Sequence, residues 1–145
     1  MKRLPRPIKS DLKSRRIVWD EERAIRWPYY KILREFSTLK QFYPEIDPYA
    51  EVYRMRDNVY ACFSESLDGA GDVWSFVIDG PEKAMVIDTG FGIGDFKGLV
   101  KKLVGDKPLI VANTHSHYDH AYGNCQFERC YCSEAEVARM EKKNN

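Results

Sequence analysis

A short apolar strand that runs straight into a cluster of histidines is the feature that most constrains this chain. Pro108 to Ala112 is apolar and β-prone, and Asn113-Thr114-His115-Ser116-His117-Tyr118-Asp119-His120 follows it directly. All three histidines of the protein lie in that stretch, with Asp119 between the last two. Imidazole and carboxylate are the usual nitrogen and oxygen ligands of a divalent transition metal. Layered α/β folds gather such groups where strands end. On an extended chain alternate side chains share a face, so His115, His117 and Asp119 are expected on one side. His120 needs a turn before it can join them. The pattern therefore yields two pairs, His115 with His117 and Asp119 with His120, suited to two neighbouring metals. The plainer alternative is a polar loop satisfied by water and backbone.

Two motifs carry a family resemblance. Thr114-His115-Ser116-His117-Tyr118-Asp119-His120 resembles the T-H-x-H-x-D-H signature of the metallo-β-lactamase-fold hydrolases. Ala121-Tyr122-Gly123-Asn124 is similar to the A-G-G-N that trails it in glyoxalase II-like and lactonase-like members, with Tyr122 in place of the first glycine. Upstream, Met85-Val86-Ile87-Asp88-Thr89-Gly90 resembles the family's strand-end I-D-T-G. The resemblance covers roughly Asp47 to the C-terminus. It implies an α/β fold, the first half of an αβ/βα sandwich, on residues 47–145. Residues 1–46 are then a basic arm and helical extension outside it.

The resemblance also implies chemistry. His115 and His117 would serve a first zinc, and Asp119 and His120 a second; one or two ions are expected, other divalent metals being compatible. Asp119 would in addition orient the nucleophile, as the catalytic group. Asp88 would hold the ligand loop without touching the metal. Tyr118 and Tyr122 flank the ligands and either line a substrate cleft or pack around the loop. The implied reaction is hydrolysis of a small ester, thioester, lactone or lactam. The family's third histidine, bridging aspartate and late histidine would all lie downstream, and no histidine follows His120. A truncated domain is expected, completed by a second half or a homodimer. The competing expectation is a non-catalytic remnant or interaction module.

Composition adds limits. The net charge of +1 gives no global argument for a nucleic-acid partner. No apolar run has the length of a membrane span, and Pro5 and Pro7 break the basic N-terminus where a secretory signal would need an apolar core. A small-molecule substrate and a cytoplasmic location are the defaults. The four cysteines, Cys62, Cys125, Cys130 and Cys132, include no C-x-x-C pair and are expected to be buried, reduced thiols.

Along the chain, residues 1–16 read as a solvated arm. Tyr29, Ile32, Leu33 and Phe36 after Pro28 predict an amphipathic helix over 28–41, either docked on the domain or binding a partner. Pro44 and Pro48 mark a linker. Strands are expected over 51–56 and 59–63 about an Asp57-Asn58 turn, then over 73–78 and 84–87. Gly90, Gly92 and Gly94 miss the dinucleotide pattern and read instead as a sharp turn beneath a metal site. Asp95 is expected to cap a helix running to Val104 and closed by Gly105, making a strand–helix–strand unit with parallel strands. A short strand over 127–132 and a helix over 133–142, with Ser133 and Glu136 as a capping box, end the reading.

Overall fold

The computed structural model describes Arg34, residues 39–65 and residues 72–143. The expected basic arm, nearly all of the helix over 28–41 and most of the loop over 64–72 lie outside those residues. Arg34 is helical, but the expected helix does not reach Gln41: Leu39 is in a turn and β1 (Lys40–Tyr43) begins at the next residue.

A local meander builds most of the sheet. β2 (Asp47–Arg56) and β3 (Val59–Glu65) form an antiparallel hairpin around Asp57-Asn58, as that turn pair predicts. The register shifts between Arg54 and Arg56, a bulge that adds twist near the turn. β4 (Asp72–Asp79) pairs antiparallel with β3 and then with β5 (Ala84–Ile87). β2 starts earlier than the sequence suggested, because Pro48 lies in its first residues, ahead of the pairing with β3 from Ala50 onward.

The connections then lengthen. After β5 the chain crosses through α1 (Phe96–Val104) to β6 (Leu109–Ala112), which lies parallel to β5. β7 is only Cys130–Tyr131, parallel to β6 and shorter than the strand expected over 127–132. The result is one seven-stranded sheet in sequential order, β1 to β7. α1 is capped as expected: the Asp95 carboxylate accepts the Gly98 N–H at 2.8 Å, and the Gly105 N–H closes the last turn on the Lys101 carbonyl. Lys101 and Lys102 sit in that last turn, where cations favour the helix dipole.

The period-two pattern decides what α1 covers. Residues paired across the sheet share a face, so Val52, Cys62, Val77, Val86 and Val111 line one side. Phe96, Leu99, Val100 and Val104 of α1 fill the same cluster. Leu99 and Val100 are wholly buried, and burying such side chains stabilises by about 1.5–3 kcal/mol each. The opposite face carries an aromatic set in which Trp74 packs on Tyr53 (centroids 5.6 Å) and on the edge of Phe63 (5.0 Å). Burial pushes the Cys62 thiol up to about 12, so it is an inert core group. All four cysteines are free, but only Cys62 is buried; Cys125 is exposed and Cys130 and Cys132 are half-buried, in a region with little to cover them.

Candidate metal centre

The candidate residues sit where β6 ends, and a single carboxylate ties them to the end of β5. Asp88 is buried and has φ +60, a conformation rare outside glycine, so its backbone is held there by its bonds. One oxygen accepts the Thr114 N–H at 2.7 Å. The other accepts the Thr114 hydroxyl and the His120 Nδ1–H, both at 2.8 Å. The Thr114 hydroxyl has one proton and gives it to Asp88, so its 3.0 Å contact with His115 Nδ1 makes that ring nitrogen the donor. Asp88 therefore places the Nδ1 proton of two imidazoles, so that in the neutral rings both Nε2 atoms are bare.

Those bare nitrogens face partners. His115 Nε2 lies 3.0 Å from His117 Nδ1, and His120 Nε2 lies 3.3 Å from the Asp119 carboxylate. The His115 ring stands 4.1 Å from the His120 ring and 4.6 Å from the His117 ring, centroid to centroid. The backbone route differs from the extended one expected. His117 is still extended, at φ −64° and ψ 149°, but Tyr118 opens a one-turn helix, α2 (Tyr118–Ala121). Asp119 reaches the cluster from that turn, together with His120. Among the described residues no three His, Cys, Asp or Glu side chains form a cluster that could hold a metal ion; the donors come as two pairs.

A part-buried amide network fixes the turn. The His120 carbonyl accepts the Thr89 N–H and the Asn113 side-chain N–H, both at 2.9 Å. Asn124 links them: its N–H₂ reaches Asn113 Oδ1 and its oxygen accepts the Thr89 hydroxyl, again at 2.9 Å. The sequence reading passed over Asn113 and Asn124 as structural parts; their spacing on either side of the histidines was the available signal. Two glycines make this approach feasible. A Cβ on Gly123 would stand 2.1 Å from the Thr89 carbonyl oxygen, and one on Gly92, at φ +74, would stand 2.8 Å from that of Tyr122.

Tyr118 and Tyr122 are 44% and 51% exposed beside the donors. Phe91 extends them into a strip, with centroids 6.0 Å from Phe91 to Tyr118 and 5.8 Å from Tyr118 to Tyr122. Glu136, in α3 (Glu134–Lys143), does not act as the expected capping-box partner. Its Oε2 accepts the Ser116 N–H at 2.8 Å, and its Oε1 accepts Arg139 Nη1–H at 3.1 Å. The Ser116 hydroxyl, then its amide, hold the Glu136 carboxyl below the usual glutamate range, with smaller help from Arg139. A residue twenty positions from Ser116 gives no local sequence signal for that contact.

Comparison with known proteins gives the class. Residues 68–129 match the family model of the metallo-beta-lactamase superfamily. In solved structures, the DIM-1 metallo-beta-lactamase superposes at TM-score 0.56 and 20% identity, covering 68% of this chain and 49% of that one. TMB-1 superposes at TM-score 0.53 and 26% identity, covering 66% and 48%. Over the part these matches cover, the chain has the metallo-beta-lactamase fold. Among curated proteins it is similar to the acyl-coenzyme A thioesterase MBLAC2 of Homo sapiens, 32% identical over 94 residues, and of Bos taurus, 31% identical over 94 residues. Each match takes in 57% of this chain, which spans about a third (33%) of the length of those relatives.

Proposed function

We propose that this chain carries the first ligand-bearing part of a metal-dependent hydrolase acting on a small ester, with an acyl thioester as the favoured substrate. The observation that carries the reading is the pair of donor separations. With zinc–nitrogen bonds of 2.0–2.1 Å, two ligands of a tetrahedral ion stand about 3.3 Å apart. The 3.0 Å and 3.3 Å separations within the two pairs fit that edge. His115 and His117 would hold one ion, Asp119 and His120 a second. When bound, zinc supplies Lewis acidity that polarises a carbonyl and makes hydroxide available near pH 7.

The chain's own residues do the rest. Asp88 keeps His115 and His120 in the tautomers whose Nε2 lone pairs face outward. Asp119, half-buried beside His120, is the acceptor placed to orient the attacking water and take its proton. The Phe91–Tyr118–Tyr122 strip gives an apolar wall on which a substrate chain can lie. The MBLAC2 relatives favour the thioester among the candidate linkages.

One observation favours a second reading, a non-catalytic or interaction module: no three donors converge among the described residues. Zinc per chain after dialysis against metal-free buffer separates the two. The hydrolase reading expects one or two retained ions, lost in His117→Ala, and hydrolysis of an acyl-coenzyme A when the site is completed by a second copy or a second half. No retained zinc in the unaltered chain would sink the metal reading for these residues.

A further inference from the structure

The donor rings are not anchored alike. His115 is tied through the Thr114 hydroxyl and His120 directly, both to Asp88. The His117 ring is exposed, and among the described residues its only hydrogen-bond partner is His115 Nε2. Its position is therefore passed to it by its backbone. The residue before it, Ser116, is 2% exposed and takes hold of α3 through Glu136.

We propose that Glu136 is the positioning residue for the His115–His117 donor pair, clamping the Ser116 peptide between them and so setting the separation of the two nitrogens. The inference rests on the metal-site reading above. In an extended segment residues i and i+2 project to the same side, so fixing the peptide of residue i+1 fixes both. Glu136 is itself held at each end. Arg139 occupies Oε1, leaving Oε2 for Ser116, and Met140, buried four positions on along the same helix face, seats α3. A carboxylate facing this loop beside His115 also adds negative charge where a dication would sit. The ligand loop is thus gripped from two directions, by Asp88 at the end of β5 and by Glu136 from the helix after β7.

The test uses the full chain and three variants, Glu136→Ala, Glu136→Gln and Glu136→Asp. Zinc affinity is read by competition with a chromophoric chelator, the ligand field from the visible spectrum of the cobalt(II) form, and the clamp from exchange of the Ser116 amide. Loss of an outer hydrogen-bonding partner weakens metal binding by about 10–100-fold. E136A is expected within that range, with an altered cobalt spectrum and faster Ser116 exchange. E136Q, whose amide oxygen still accepts an N–H, is expected to recover most of the affinity. E136D keeps the charge but draws it away from Ser116, and is expected to resemble E136A. If E136A fails to fold, the contrast between E136Q and E136D decides. Wild-type affinity and spectrum in both E136A and E136D would overturn the proposal. If the unaltered chain binds no zinc, the metal-site reading fails separately. The metal-free histidine ring nitrogen shifts and Ser116 exchange then decide whether Glu136 positions His117: a change in E136A and E136D supports it, and no change overturns it.

Discussion

Asp47 and Asp88 are both buried, at 2% and 4% exposure, and the chain treats them in opposite ways. Asp88 spends its two oxygens on three donors and organises a loop. Asp47, at the start of β2, accepts one bond, the Tyr49 N–H at 3.1 Å, while Asp95 lies close enough to oppose its charge. Burial first, then Asp95, push its carboxyl above the usual 3.8 against the pull of the Tyr49 amide. Burial alone therefore says little about a carboxylate. What matters is how many donors it meets, because an ion removed from water needs replacement bonds.

The largest way to break the contrast is Asp88→Ala. It orphans Thr114 and His120 and forces a β-carbon residue without side-chain bonds to keep φ +60. A loss of about 3 kcal/mol or more is expected from urea unfolding, since each buried donor left without its acceptor costs about 1–3 kcal/mol. Little loss would mean that the amide network alone holds the loop. Next comes Gly123→Ala, which drives a Cβ against the Thr89 carbonyl; about 1–3 kcal/mol of destabilisation is expected, as for other overpacking. Chemical shifts of His120 should move with it, and unmoved shifts would uncouple the network from the ring.

Asp47→Asn runs the other way, stabilising the chain by about 1 kcal/mol at pH 7, the scale of a relieved unsatisfied group. The sign follows from linkage. The folded chain holds the Asp47 proton to higher pH than the unfolded chain, so this group's contribution to stability falls as pH rises from 3.8 through the folded value. The gain of D47N over wild type should grow across that window and vanish below it. A gain that is independent of pH would refute the electrostatic cause. The smallest effect is expected from Asp95→Ser, which keeps an oxygen for the Gly98 N–H and removes the charge. Stability should change by less than about 0.5 kcal/mol, while the Asp47 carboxyl titrates closer to 3.8 by NMR.

Legibility in the sequence follows the same division. The Asp57-Asn58 hairpin, the Asp95 cap, the Gly105 stop and the parallel β5–α1–β6 unit were readable because each depends on neighbours a few residues apart. β1 was hidden because Lys40-Gln41-Phe42-Tyr43 has no alternation to separate it from the helical pattern before it. The histidine cluster could be read as two pairs, but not its route, since the turn at Tyr118 depends on Asn113, Thr89 and Asn124 meeting around one carbonyl. Asp47 and Glu136 were missed for the same reason: their surroundings come from Gly94 and Ser116, far away in the chain.

The order of the strands also bears on how the molecule assembles in time. β2 to β5 pair antiparallel, each with the strand next to it in the chain, whereas β5 to β6 and β6 to β7 are parallel and wait on long excursions through α1 and through the histidine loop. Closing a longer loop loses more chain entropy before any contact compensates it. Parallel pairing is correspondingly slow. The meander is thus the early partner in refolding and the imidazoles gather late, on a scaffold already formed. On the metal reading proposed above, an ion added to the refolding chain should then speed only the final phase, and one withheld should leave the meander's amides protected while those of Asn113 to His120 still exchange.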